Sequence, residues 1–254
     1  MTLFDRKGKP MMPQDPKWTK PSAPMWPKKK SLCVAMVVYD AIEARTALCV
    51  SKLQQMVPYK KFDWHIRFGT YIDLARSTIV QQIRGYDYIL FVDADIVFTN
   101  QHVMDLVHAY KPKYGAISGS YPYRDGSGRT TFGWLKEDGV WTTDEESYKR
   151  AVEHSNNGDI VPADKMPAGF MLTTGDTVKK LPSPSFACRW VQDELDDGTR
   201  VARFIGEDVF FVETMKRCGF TPMAHFGVQV GHIGKVPLGL MGAEIAPATQ
   251  EQVT

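Results

Sequence analysis

Cysteines and long apolar runs are scarce in this sequence of 254 residues. It has four cysteines, and none of them form a C-x-x-C pair: Cys33, Cys49, Cys188 and Cys218. Neither a disulfide scaffold nor a thiolate zinc site is therefore expected, and the default setting is reducing and cytoplasmic. No run approaches the roughly 18 apolar residues of a membrane-spanning helix, so we predict no transmembrane segment. The first apolar run also begins too late, and lacks the cleavage pattern, for a signal peptide.

The chain also has almost no net charge, but its charge is unevenly distributed. A total of 31 Lys and Arg against 29 Asp and Glu excludes a polycation that coats nucleic acid over its whole surface. Residues 1–30, however, hold eight basic residues against two acidic ones, and six of the 16 prolines. A segment rich in Pro and Lys, without a periodic apolar pattern, is typical of an extended arm. We predict an arm over residues 1–30 and a single folded domain over residues 31–254.

Beyond residue 30, apolar strand-like runs alternate with helix-spaced patterns. We predict strands over residues 32–39, 62–68, 88–92, 115–119, 168–173 and 226–230. We predict helices over residues 41–56, 74–83, 101–110 and 208–217. This alternation is typical of an α/β fold whose mostly parallel sheet is covered on both faces. Residues 121–165 break the alternation, and we predict an irregular region there with a small antiparallel hairpin formed by residues 131–135 and 140–143.

The most informative stretch is the end of the third predicted strand, where Asp93 and Asp95 follow five apolar residues. Because side chains alternate along a strand, both carboxylates emerge on the same side, at the carboxyl end where open α/β sheets bind ligands. Two adjacent carboxylates repel unless a cation lies between them, and Mg²⁺ or Mn²⁺ bridging phosphate oxygens suits them. The structural alternative is that one Asp caps the helix near Gln101.

Four motifs occur in an order that resembles the GT-A fold glycosyltransferases, over about residues 32–234. They are the segment from Asp73 to the D-x-D sequence at Asp93 and Asp95, a glycine loop at Gly169, an x-E-D motif at Glu207 and Asp208, and a late histidine, His232. The resemblance implies a three-layer α/β sandwich with a Rossmann-like sheet. It also implies metal-dependent transfer of a sugar from a nucleoside diphosphate, most commonly UDP, to a hydroxyl acceptor. Mn²⁺ or Mg²⁺ would be held by Asp93, Asp95 and His232.

The resemblance further implies a base and its neighbour. Asp208 would take the proton from the acceptor hydroxyl in an inverting reaction, with Glu207 beside it. Retaining enzymes share the fold, however, and can keep acidic residues there without using a base. The structural alternative is that one of the two acids is an N-cap or a first-turn acid that complements the helix dipole.

The resemblance places the donor nucleotide against a second set of residues. Tyr39 and Asp40 leave the first strand where the family holds the nucleobase and ribose, and the arginine that matches Arg76 faces the donor. Ala94 lies inside the D-x-D motif, and Gly169 lets the backbone approach a ligand. The structural alternatives are a helix cap for Asp40, a solvated charge for Arg76 and an ordinary bulge for Gly169.

The acceptor side is expected among aromatic and charged residues of the less regular segments: Tyr121, Tyr123, Arg124, Arg129, Trp134, Trp141, Trp190, Asp193 and Glu194. Their rings offer faces for a sugar or base, although cross-strand packing explains Trp134 and Trp141 equally well. The basic arm suits a glycan or a modified DNA base as acceptor, or simply solubilises the chain. Residues 235–254 either close over the bound nucleotide or form an open terminus. The sequence leaves the oligomeric state open.

Two other function classes compete with the transferase. The sequence from Asp93 to Val97 also fits the nucleophile motif of haloacid-dehalogenase-like phosphatases, with Asp93 as the nucleophile. That motif normally opens its fold, whereas two β-α units precede it here. The other alternative is a non-enzymatic binder of nucleic acid or glycan that acts through the basic arm.

Overall fold

The structure is a computed structural model, and it describes residues 26–27, 29–58, 61–69, 71–123, 129–137, 141–194 and 199–233. Most of the expected arm, Arg124 and the segment from residue 235 onward lie outside the described residues. The side chains of Asp193 and Glu194 are also outside them.

Strands and helices alternate through the first half of the described chain. The strands are β1 (Leu32–Val38), β2 (Phe62–Phe68), β3 (Tyr88–Val92), β4 (Ile96–Val97), β5 (Ala116–Ser120), β6 (Ile160–Pro162), β7 (Phe170–Thr173), β8 (Arg189–Glu194), β9 (Arg200–Ile205), β10 (Met223–Gln229) and β11 (Gly231–His232). The helices are α1 (Ala44–Met56), α2 (Ile72–Gln82), α3 (Asn100–Ala109), α4 (Asp144–Asn157), α5 (Gly175–Val178) and α6 (Glu207–Arg217). None of these helices is both long and apolar enough to cross a bilayer.

Seven of the described strands form one central sheet in the order β2-β1-β3-β7-β5-β10-β6. The pairs β1–β2, β1–β3 and β5–β10 are parallel. Strand β7 runs antiparallel between β3 and β5, and β6 runs antiparallel along β10. Two further antiparallel pairs, β4–β11 and β8–β9, lie outside this sheet. The predicted α/β class with a mostly parallel sheet is therefore confirmed.

The sheet is buried on both faces because its central strands are apolar throughout. Along β1, alternate residues such as Leu32 and Val34 join a cluster that includes α1 and α3. The residues between them, such as Cys33 and Ala35, join a second cluster that includes α2 and α6. This two-sided burial explains why β1 is a continuous apolar run rather than an alternating one.

The prediction of an irregular region over residues 121–165 was wrong, because it contains the 14-residue helix α4. The local signal was present: the side chain of Thr143 accepts from the backbone N–H of Glu146, whose side chain accepts from the N–H of Thr143. This reciprocal capping box fixes the start of the helix. The expected hairpin is reduced, among the described residues, to a bridge between Leu135 and Trp141 and hydrogen bonds between Trp134 and Thr142.

The folded core includes a residue from the segment expected to be an arm. Trp26 is only 7% exposed, and its ring meets the ring of Tyr88 edge-on at 5.7 Å. Close by, the Oδ2 of Asp87 accepts hydrogen bonds of 2.8 Å from both the backbone N–H and the hydroxyl of Ser31. The Nζ of Lys30 lies 2.9 Å from the Oδ1 of Asp87. Burial opposes the charge of Asp87, but these donors outweigh it and lower its pKa to about 2.

Replacing Asp87 with alanine should lower the free energy of unfolding by about 1–2 kcal/mol, because several hydrogen bonds to a charged group are lost together. Since its pKa is lowered from 3.8 to about 2, this stabilisation is complete above the ordinary value and is lost as the pH falls between the two. Urea unfolding at pH 7 and at low pH measures both effects. Asp176→Ala is the matched control, because that side chain is 90% exposed. An equal loss of stability in both variants would contradict a stabilising role for the hydrogen bonds to Asp87.

Candidate active site

Several of the predicted site residues follow strand ends at one edge of the central sheet. Strand β1 ends just before Tyr39, β3 just before Asp93, and β5 just before Tyr121. Because β7 runs antiparallel to β3, its first residue follows Gly169 at this same edge. The backbone N–H of Asp93 donates to the carbonyl of Gly169 at 2.9 Å, which joins the two strand ends directly. Parallel topology thus gathers residues that are far apart in sequence.

Asp95 and His232 come together through the small sheet β4–β11. His232 pairs with Ile96, and the backbone N–H of Ile233 donates to the carbonyl of Asp95 at 2.9 Å. The Nε2 of His232 then lies 3.4 Å from the Oδ2 of Asp95. The Nδ1 lies 2.9 Å from the carbonyl of Pro122, which can only accept, so Nδ1 carries a proton. Burial opposes the charged form of the ring, but Asp95 and Pro122 outweigh it and raise the pKa of His232.

This pair fits a divalent cation. With Nδ1 protonated, the Nε2 lone pair of a neutral His232 faces a carboxylate oxygen, so either a proton or a metal ion must lie between them. Ligands of an octahedral ion bound at about 2.0–2.1 Å stand about 3 Å apart, close to the observed separation. No third His, Cys, Asp or Glu among the described residues completes a protein site. A hard ion that keeps positions for phosphates and water requires only such a partial set.

Arg76 binds two carboxylates in the interior of the site. Its Nη2 lies 2.6 Å from the Oδ1 of Asp93, and its Nη1 lies 2.7 Å from the Oε1 of Glu207. The residue is 3% exposed, and its guanidinium lies 5.8 Å from the centre of the Phe186 ring. Burial opposes the charge of Arg76, but Asp93 and Glu207 outweigh it, so its pKa is raised. The solvated alternative for Arg76 is wrong, and its two partners were not predicted from the sequence.

Glu207 and Asp208 occupy the first turn of α6, whose N-cap is Gly206. The first-turn position expected for these acids is therefore correct, and neither of them is the N-cap. Burial raises the pKa of Glu207 in spite of the opposing charge of Arg76. The carboxylate of Asp208 is half-buried and accepts from the backbone N–H of Val209 at 2.8 Å. Glu207 is thus bound to the buried cluster, while Asp208 lies beside it.

Gly169 lies against two side chains of the candidate site. Its backbone N–H donates to the hydroxyl of Tyr121 at 2.8 Å. A Cβ at this position would lie 2.5 Å from the Oδ2 of Asp93 and closer still to the Oη of Tyr121. The ring of Tyr121 also meets the His232 ring edge-on at 5.2 Å. Gly169 is therefore required by close approach, and Tyr121 links the glycine loop to the candidate metal ligand.

Comparison with solved structures identifies the fold. No family model and no curated protein sequence matches the chain. GalNAc-T7, solved with UDP, GalNAc and Mn²⁺, has a similar fold, with a TM-score of 0.53 and 14% identity over 82% of this chain and 44% of that chain. The fold is that of the GT-A glycosyltransferases. This chain spans less than half of the GalNAc-T7 chain.

Two other solved structures were found at lower TM-scores. A197 from STIV has a TM-score of 0.49 and 15% identity, and the match covers 81% of this chain and 86% of that chain. The mannosyltransferase PcManGT from Pyrobaculum calidifontis, solved with GDP-Man and Mn²⁺, has a TM-score of 0.47 and 13% identity. That match covers 83% of this chain and 59% of that chain.

Within this GT-A fold, the first strand end carries an exposed aromatic group. Tyr39 is 77% exposed, and β2 ends beside it because Val38 pairs with Phe68. Phe68 and Tyr71 are also exposed, and neither was predicted as a site residue. Phe68 is an aromatic residue at the end of a predicted strand, and this signal could have found it. Asp40 does not cap α1, whose N-cap is Glu43, and the backbone N–H of Glu43 donates to the carbonyl of Ala94.

The helix-cap alternative for the D-x-D motif is also wrong. Helix α3 begins at Asn100 and is capped by Thr99, whose side chain accepts from the backbone N–H of His102. Neither Asp93 nor Asp95 therefore caps it. Both carboxylates remain at the edge of the sheet.

The expected acceptor residues divide into buried and accessible groups. Trp134 is 2% exposed, stacks with Phe226 and donates through Nε1 to the carbonyl of Pro162. It is therefore a core residue, as the packing alternative predicts. Trp141 is half-buried beside a cleft, and Trp190 is largely exposed on the β8–β9 hairpin. Arg129 pairs with Asp144 at 3.0 Å.

Proposed function

We propose that this protein is a metal-dependent glycosyltransferase that moves a sugar from a nucleoside diphosphate to a hydroxyl acceptor. The observation that carries the proposal is the Asp95–His232 pair, held 3.4 Å apart at the carboxyl edge of the sheet. Asp93 lies at the same edge, fixed by Arg76. The GT-A fold supports the proposal, since the GalNAc-T7 structure of that fold holds UDP and Mn²⁺.

The charge balance of the site favours metal-dependent donor binding. Four carboxylates lie in this site with one buried guanidinium: Arg76 pairs with Asp93 and Glu207, Asp208 acts on Glu207, and Asp95 pairs with His232. A diphosphate brought to such a site is repelled unless a cation accompanies it. In our proposal Asp95 and His232 hold Mn²⁺ or Mg²⁺ with Asp93 beside them. The ion would supply neutralisation of the charge that develops on the departing diphosphate.

The remaining roles follow from position. Asp208 is the proposed general base of an inverting reaction, because it lies beside the cluster while Glu207 is bound to Arg76. Tyr39 and Asp40, joined by the exposed rings of Phe68 and Tyr71, would hold the nucleobase and ribose. Ala94 and Gly169 line the edge without side chains that obstruct a ligand. UDP is the donor nucleotide that we propose.

The phosphatase alternative is less well supported by the arrangement of Asp93. A nucleophilic carboxylate must be able to reach phosphorus. The Oδ1 of Asp93 is bound by Arg76 at 2.6 Å, and its Oδ2 lies against Gly169. A binder acting through the basic arm would not need this buried cluster.

Thermal shift with nucleoside diphosphates and nucleotide sugars, with and without Mn²⁺, tests the proposal. A ligand at about 100 times its Kd adds about 2.7 kcal/mol to the free energy of unfolding and raises the melting temperature. The rise should need Mn²⁺, vanish in Asp95→Asn and persist in the surface control Asp176→Asn. Asp208→Asn should keep the rise but lose transfer of the sugar. If no nucleotide shifts the wild type with any metal, the glycosyltransferase proposal is wrong.

A further inference from the structure

A cleft of about 240 Å³ opens beside the start of α6, and it is lined by residues from 130–133, from 141–147 and from strand β9. Val209, the residue after Asp208, is part of its lining. This volume is just below the range of about 300–1,000 Å³ that is typical of small-ligand pockets. The cleft therefore has room for one sugar ring next to the proposed base.

The cleft has an aromatic wall. Trp141 and Phe204 line it, and Phe204 is 53% exposed although it is a large apolar ring. Trp190 pairs with Phe204 across the β8–β9 hairpin, and their ring centres are 5.3 Å apart. Exposed rings of this kind offer apolar faces on which the C–H face of a pyranose can pack. The wall thus suits a sugar ring.

The cleft also contains a lysine with an unusual environment. Lys165 is half-buried, and its Nζ lies 2.8 Å from the hydroxyl of Tyr123. Among the described residues, no carboxylate lies within ion-pair distance of this ammonium. A lysine that is buried in a protein normally has an anionic partner. The carboxylate of Asp144 lines the same cleft but is already paired with Arg129 at 3.0 Å.

Lys165 remains a cation in this position. Burial has the largest single effect and lowers the pKa of Lys165, but the hydrogen bond to Tyr123 and the charges of Asp208 and Asp144 together outweigh it. The net direction is upward. A persistent positive charge therefore lines the cleft on the side of the candidate base.

We propose that this cleft holds the acceptor as a sugar ring that carries a carboxylate, with that carboxylate at Lys165 and the ring against Trp141. The assignment rests on the proposed glycosyltransferase function. The acceptor hydroxyl then faces Asp208. Its oxygen bonds to the anomeric carbon of the donor, its proton passes to Asp208, and the bond from the anomeric carbon to the diphosphate breaks with its electron pair on the diphosphate oxygen.

Binding of simple glycosides to the full chain, in the presence of UDP and Mn²⁺, tests the proposal. The probes are the methyl glycosides of glucuronic and galacturonic acid and their neutral counterparts, methyl glucoside and methyl galactoside, titrated by NMR. At least one acid sugar should bind about tenfold more tightly than its neutral counterpart, since a charge-assisted hydrogen bond is gained. Lys165→Met should abolish this difference, and Lys165→Arg should retain it. Trp141→Ala should weaken binding of acid and neutral sugars alike.

Lys149→Met is the matched control, because the side chain of Lys149 is 73% exposed on α4. It should keep the preference for the acid sugar. Equal binding of acid and neutral sugars by the wild type, or a preference that survives in Lys165→Met, would overturn the proposal. The thermal shift with UDP and Mn²⁺ is measured on the same samples. A nucleotide shift without any acid-sugar preference overturns this inference alone, whereas the absence of a shift with every nucleoside diphosphate and metal removes its premise and overturns both.

Discussion

Arg76→Met should lower the free energy of unfolding by about 3–5 kcal/mol, the range for removing one partner of a buried ion pair. Methionine keeps much of the side-chain volume, so the loss of stability would come from the missing charge rather than from a cavity. Asp93 and Glu207 would each lose a hydrogen bond of 2.6–2.7 Å and would face each other inside the site without a cation. Metal-dependent nucleotide binding should be lost as well, because Asp93 is no longer fixed.

Urea unfolding and the nucleotide thermal shift measure these effects. Arg45→Met is the control, since it is the same substitution at an exposed position on α1. Arg76→Lys keeps one charge but cannot reach both carboxylates with a planar fork, so its loss should be intermediate. Adding Glu207→Gln to Arg76→Met removes one buried charge and should recover part of the stability. A change as small as that of Arg45→Met would show that Arg76 does not stabilise the cluster.

Gly169→Ala should lower the free energy of unfolding by about 1–3 kcal/mol and abolish nucleotide binding, since overpacking forces neighbouring groups to move. The new Cβ would lie 2.5 Å from the Oδ2 of Asp93 and even closer to the Oη of Tyr121. Either the carboxylate or the ring must therefore shift. The ring of Tyr121 also contacts His232, so the shift would reach the candidate metal ligand.

A second substitution tests the cause of this loss. Tyr121→Phe removes the hydroxyl that the new methyl group would meet first, so Gly169→Ala with Tyr121→Phe should be more stable than Gly169→Ala alone. Gly85→Ala is the control, because a Cβ at Gly85 meets no heavy atom within 4 Å. If Gly169→Ala and Gly85→Ala unfold at the same urea concentration, the close approach does not constrain the site.

The sequence predicted elements well where burial alone determines the pattern. Strands β2 and β3 have the predicted bounds because each is set by an apolar or alternating run that depends on local sequence. Helix α4 was missed because most of its residues are polar, and only Ser147 and Ala151 are buried. Its capping box was the available sequence signal, but the surrounding glycines and aromatics favoured an irregular region.

The candidate site was predictable in its residues but not in its contacts. Asp93 and Asp95 could be assigned to an edge of the sheet because they follow a predicted strand, and the carboxyl ends of parallel strands meet at one edge. The partners of Arg76 are 17 and 131 residues away in sequence, and Gly169 is 48 residues from Tyr121. The contact of Gly169 with Tyr121 depends on the antiparallel insertion of β7, and the pairs of Arg76 depend on how α2 meets the end of β3 and the start of α6. No local periodicity encodes these arrangements. Lys165 was missed for the same reason, since its position beside Asp208 exists only in the folded chain.

The position of Trp26 determines how the protein can be attached to a support. Trp26 packs on Tyr88, at the amino end of β3, whereas Asp93 and Asp95 follow the carboxyl end of that strand. The parallel strand β1 is seven residues long, which corresponds to about 23 Å at roughly 3.3 Å per residue. A bead or sensor surface coupled to the chain ahead of Trp26 would therefore meet the protein at the edge opposite Asp95 and His232. Immobilised in this way, the protein would keep the edge with Asp95 and His232 open to the solution.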